Sequence, residues 1–143
     1  MTTRELLLVI LNHTNENLSL EPESLSLSHG GWMDTSDSKP PQEILAGESG
    51  MLRCKSSHIG RGVEGSVTYR IVSYEADNRV TFAWNVHYIG TNHFSCPCVA
   101  DGFMVRILGG QGSRAVVVFV FTPITASGIR LYRAGSHCSL PHR

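Results

Sequence analysis

GRGVEGSVTYRIVSYEADNRVTFAWNVHYIGTN, residues Gly60 to Asn92, is the stretch on which the fold turns. Val67, Tyr69 and Ile71 fall on one side of an extended chain, and Ser66, Thr68 and Arg70 on the other. The polar run Glu75-Ala76-Asp77-Asn78 interrupts the pattern, which then resumes. Val80, Phe82, Trp84, Val86 and Tyr88 occupy five consecutive same-face positions, with Thr81, Ala83, Asn85 and His87 opposite. Strict period two over this length specifies half-buried strands, and the turn residues between the runs specify a hairpin. Gly60, Gly62 and Gly65 lack the spacing and the Gly-Lys-Ser/Thr of a phosphate loop. They are expected to serve turn geometry ahead of a strand.

Toward the N-terminus, Leu6 to Leu11 is an unbroken apolar run. It suits a strand buried on both faces or one covered by a neighbouring chain. Asn12 to Asn17 is a turn by composition. Leu18 to Ser28 alternates Leu with Ser, and Pro22 predicts an edge or bulge there. His29 to Pro41 reads as a long loop with Trp32 near its start. Ile44 to Gly50 reads as a turn, and Met51 to Lys55 as a short strand.

Toward the C-terminus, His93 to Cys98 places Phe94, Cys96 and Cys98 on one face. Phe103 to Leu108 and the β-branched, aromatic run Ala115 to Phe121 are further strands, separated by Gly109-Gly110-Gln111-Gly112-Ser113. Ile129 to Arg133 is a candidate last strand. Eight or nine short strands at intervals of roughly ten residues predict an all-β fold, a single antiparallel β-sandwich. Residues 1–143 form one domain, with 134–143 as a loose tail.

Composition narrows the function. Twelve Lys+Arg balance twelve Asp+Glu, so the formal net charge is zero. That argues against nucleic acid as a partner, which needs a positive field, and against strong attraction to anionic lipid. No segment reaches the ~18 apolar residues of a spanning helix. The start has a six-residue apolar core and no small-residue cleavage site, so export by the usual signal route is not expected. No nucleophile elbow, His-Glu-x-x-His helix or paired-carboxylate pattern occurs among the residues, including seven His. The chain is therefore not expected to be an enzyme or to hold a cofactor or metal. Cys54, Cys96, Cys98 and Cys138 have three readings: free thiols packed as small hydrophobes, intermolecular or tail disulfides, or a zinc site built from Cys96, Cys98, His137 and Cys138. The spacing is not the Cys-x-x-Cys of structural zinc sites.

Trp32 in the long loop, with Tyr88 and Phe94 flanking the exit turn Ile89-Gly90-Thr91-Asn92, offers amphipathic rings suited to a membrane interface. The alternative is that these rings close the ends of the core. Trp84, in mid-strand, is expected to be core.

Gly62-Val63-Glu64-Gly65-Ser66-Val67, Phe82-Ala83-Trp84 and Gly90-Thr91-Asn92 resemble the aegerolysins. So do Asn12-His13-Thr14, Gly31-Trp32 and Ala46-Gly47-Glu48-Ser49, in matching order over residues 4 to 121. The chain looks like the small component of a bacterial two-component insecticidal toxin, and the actinoporins share the sandwich. The resemblance implies a protein that binds membrane lipid of sphingolipid or sterol type. It implies recruitment of a larger partner of the membrane-attack-complex/perforin type, which forms the pore. Action outside the producing cell, on target membranes, follows from the same resemblance. Trp32 and Trp84 match family tryptophans. Many members carry Asp-Cys-Pro-Trp-Gly where this chain has Asn85-Val86-His87-Tyr88-Ile89-Gly90, with Tyr88 in place of the Trp. Arg61 lies near the position of a headgroup-selecting acidic residue, and Glu64 follows three residues on. Trp32, Tyr88, Phe94, Arg61, Glu64 and His93 are thus the candidate lipid contacts. A glycan-binding, lectin-like sandwich is the competing reading. Zero net charge and the apolar first strand predict a homo-oligomer.

Overall fold

The computed structural model of the protein describes residues 3–76 and 78–124. It is a β-sandwich of two sheets. The strands are β1 (Glu5–Asn12), β2 (Leu18–Leu20), β3 (Ser26–His29), β4 (Gly31–Trp32), β5 (Glu43–Ile44), β6 (Ser49–Lys55), β7 (Val63–Ile71), β8 (Arg79–Val86), β9 (His93–Val99), β10 (Phe103–Gly109) and β11 (Arg114–Pro123). One sheet has the order β10-β11-β1-β6-β4. The other runs β5-β2-β7-β8-β9, with β3 also paired to β7. A single 3-10 turn, Pro22–Ser24, separates β2 from β3, where Pro22 cannot donate to a ladder. The described residues hold eleven strands against the expected eight or nine, because β4 and β5 are two-residue bridges that no periodicity can reveal and the alternating stretch Leu18 to Ser28 is split into β2 and β3 by the 3-10 turn.

The predicted hairpin forms, and its register sets Val67 opposite Phe82 and Tyr69 opposite Val80. Val80, Phe82, Trp84 and Val86 are all buried. Tyr88 does not continue the strand. β8 ends at Val86, and Tyr88 lies in the following loop.

The sandwich is antiparallel except where β1 and β11 run parallel, Leu6 beside Ala115 and Ile10 beside Phe119. β1 therefore sits inside its sheet, paired with β11 on one edge and β6 on the other. Leu6, Leu8 and Ile10 are buried, whereas Leu7, Val9 and Leu11 are only half-buried. The expectation of burial on both faces is corrected: one face is core and the other reaches the surface. Nor is β1 an uncovered edge, because both its edges are hydrogen-bonded.

The core joins the inner faces of the two sheets. Phe82 meets Phe119 edge to face at 5.3 Å, and Tyr69 meets Phe82 at 6.3 Å. Such ring pairs contribute about 0.5–1.5 kcal/mol beyond the area they bury. Trp84 is 1% exposed, as expected of a core residue. Its Nε1 finds no hydrogen-bond partner among the described residues, so packing alone holds the ring.

β9 departs from its expected pattern. Ser95 faces Ala83, but Cys98 faces Thr81, so two residues oppose Phe82. This bulge falls at Cys96-Pro97, where proline removes a ladder donor. Phe94 and Cys96 pack on the core, while Cys98 turns to the outer face with Thr81. Cys98 is disulfide-bonded, and Cys54 and Cys96 are free thiols. No metal-holding cluster occurs among the described residues. Ile129 to Arg133, His137, Cys138 and the tail 134–143 lie outside the described residues.

Candidate functional site

One end of the sandwich gathers four connections. These are the β3–β4 junction at Gly30, the β6–β7 loop (residues 56–62), the β8–β9 loop (87–92) and the β10–β11 turn (110–113). Three side chains or positions hold them to one another. Arg4, just before β1, donates from Nε to the His87 carbonyl oxygen at 3.3 Å and from Nη2 to the Tyr88 carbonyl oxygen. Its guanidinium also lies 4.6 Å from the centre of the Tyr88 ring. Asn92 accepts from the His87 amide at 3.2 Å and donates to the carbonyl oxygens of Gly110 and Gly112 at 2.8 and 2.9 Å. One amide thus ties the β8–β9 loop to the β10–β11 turn. Gly62 lets the third loop approach, since a Cβ there would collide with the Val86 carbonyl.

Between these loops lies a cleft of about 540 Å³ with Tyr88 and Phe94 on its walls and Arg4, His87, Asn92 and Gln111 supplying polar atoms. Gly110 adopts φ +97 and sits directly on the Phe94 ring, where any side chain would clash. Phe94 in turn touches Phe119 edge to face at 6.4 Å, so the cleft wall is anchored in the core.

The six sequence candidates are not one cluster. Tyr88 and Phe94 share the cleft. His93 is exposed, with its ring 5.3 Å from that of His87. Glu64 projects from the outer face of β7, 3.9 Å from His29. Glu64 and His93 belong to a second depression of about 430 Å³ over the outer faces of β3, β7, β8 and β9. Its rows follow from register: His29, Glu64, Asn85 and His93 across four strands, then Ser26, Ser66, Ala83 and Ser95 beside them. Arg61 is exposed in the β6–β7 loop and lines neither depression. Trp32 is not a loop residue. It pairs with Cys54 in β4, half-buried against the core.

The sequence reading passed over the most exposed apolar side chains. Ile89 is 84% exposed and Ile59 67% exposed, each on a loop of this end. The opposite end carries Leu45, Val72 and Tyr74 at 39–47%. Arg4 and Asn92 were also missed as site residues. The signal for the isoleucines was an apolar residue beside glycine in each loop, Ile59-Gly60 and Ile89-Gly90.

No family model matches the chain. No curated protein matches it either. Among solved structures, the crystal structure of RahU protein in complex with a TRIS molecule is similar to this chain with a TM-score of 0.64 at 13% identity. That match covers 87% of this chain and 98% of RahU. The crystal structure of the lipid binding protein Nakanori is similar with a TM-score of 0.67 at 12% identity, covering 85% of this chain and 72% of Nakanori. At these identities the likeness establishes the fold this chain shares with them, a two-sheet β-sandwich.

Proposed function

We propose that this chain is an aegerolysin-type, membrane-lipid-binding protein that docks through its loop end. The observation that carries the reading is the pair Ile59 and Ile89, the most exposed large apolar side chains among the described residues, on touching loops. Exposing an isoleucine at a loop tip leaves apolar area in water, and a bilayer interface removes it at roughly 25 cal/mol per Å². Tyr88, next to Ile89 in the chain and on the cleft wall, has an apolar ring and a polar hydroxyl suited to the headgroup layer. The shared fold of the lipid binding protein Nakanori supports the same reading. Balanced charge favours a zwitterionic or neutral lipid, of sphingolipid or sterol type, over an anionic one. In this reading the chain is not an enzyme. It is the small component of a two-component, insecticidal pore-forming toxin, acting outside the producing cell and recruiting a larger perforin-like protein.

Flotation with sphingomyelin–cholesterol vesicles tests the docking. Wild-type protein is expected to float, Ile59→Asp/Ile89→Asp to remain at the bottom, and Val72→Asp, at the opposite end, to float. Flotation of a folded Ile59→Asp/Ile89→Asp protein would overturn the loop-end assignment.

The polar depression on β3, β7, β8 and β9 favours a second reading, a glycan-binding module, because carboxylate, imidazole, amide and hydroxyl groups converge there. Binding on a glycan array that is lost in Glu64→Ala, without vesicle flotation, would select it.

A further inference from the structure

The outer face of the β10-β11-β1-β6 sheet is apolar where a sheet facing water is ordinarily polar. Register sets Leu108, Val118, Val9 and Met51 in one row across four strands, and Val116 beside Leu7 in the next. Val116 is 52% exposed and Leu108 47% exposed. The charges stand at the margin, with Arg53 held 3.5 Å from Asp37 and Arg106 and Arg114 exposed at the sides. This face is what the unbroken run Leu6–Leu11 becomes once its even positions are spent on the core.

We infer that the face is the interface of a reversible two-fold dimer of this chain, packed sheet on sheet. Four strands ~4.8 Å apart and seven residues of ~3.3 Å each give roughly 440 Å² a side. Two such faces bury about 900 Å² before the margins are counted, near the roughly 1,000 Å² at which specific but weak interfaces begin. The area thus points to a dimer that dissociates on dilution. The occupant follows from orientation, and here the inference rests on the loop-end docking proposed above. The strands run from the loop end, so loops in a headgroup layer leave this face upright in water, away from lipid. A second copy docked on the same membrane presents the same face at the same height. A two-fold axis along the strands joins the faces in the aligned manner of packed sheets and keeps both loop ends on one side.

Sedimentation of the full chain at tens of micromolar tests this. Wild type is expected at twice the 15.7 kDa chain mass. Leu108→Glu/Val116→Glu, changed only at exposed positions, is expected at half that mass, with unchanged circular dichroism and melting. A monomeric wild type would overturn the dimer. A variant that stays dimeric would overturn the face. Vesicle flotation of the monomeric variant separates the two readings: it persists if loop-end docking is right, and its absence from both proteins sinks that docking while the mass still reports the interface.

Discussion

Asn12 is fully buried, and its Nδ2 donates to the carbonyl oxygens of Glu16, Ile44 and Leu45 at 2.8, 3.1 and 3.1 Å. Its Oδ1 accepts from the Thr14 hydroxyl at 2.7 Å. One amide closes the end of the sandwich remote from the docking loops. Asn12→Leu strands those carbonyls without donors, at a cost of about 1–3 kcal/mol in a urea melt. Trp84→Ala costs about 3–5 kcal/mol as a core truncation. Burial pushes the Cys54 thiol up from 9.0 to about 12, and Cys96 likewise to about 12. Both stay neutral in the folded protein while unfolded thiols ionise above pH 9. The raised folded value means that stability is intact below pH 9 and falls as pH climbs from 9 toward 12. For Cys54 the loss approaches ~1.4 kcal/mol per pH unit in that window. Melts of wild type and Cys54→Ala from pH 7 to 11 check it: the wild type should lose stability more steeply above pH 9.

At the scale of elements, the cleft depends on contacts between loops rather than within them. Asn92 bridges the β8–β9 loop and the β10–β11 turn. Asn92→Ala is therefore expected to speed amide exchange in residues 87–92 and 109–113 while leaving β7 and β8 protected. Equal exchange in both proteins would show that the loops need no such tie. Gly110→Ala forces both a φ of +97 and a clash with Phe94. It should lower stability by about 1–3 kcal/mol and displace the turn from the cleft wall.

At the scale of the whole molecule, no element among the described residues can be spared for a pore. The best candidate for a spanning strand, Val80–Val86, carries the core side chains Val80, Phe82, Trp84 and Val86. β1, the N-terminal element, is hydrogen-bonded on both edges within its sheet. Withdrawing either would dismantle the sandwich. Among the described residues no helix is long and apolar enough to cross a membrane. Dye-loaded vesicles that bind the protein should therefore stay sealed until a larger partner is added. Strong release by this chain alone would refute the two-component reading.

Periodicity in the sequence was enough for the hairpin, its inward set Val80, Phe82, Trp84 and Val86, and the sandwich class, because period two translates directly into a buried and a wet face. It also singled out Leu6–Leu11 as a strand with apolar residues on both sides. It could not place that strand between β6 and β11, since pairing partners some fifty and over a hundred residues away leave no local mark. Nor could it see the bulge that turns Cys98 outward, because one extra residue inverts a face only relative to a partner strand. Aromatic loop residues drew attention through their chemistry. Yet Trp32 is tied into a sheet and Phe94 lies under a glycine turn, while Ile59 and Ile89 stand at the tips. A side chain's exposure is set by which loops meet at one end of the sandwich, and that is decided by the long-range pairing of strands.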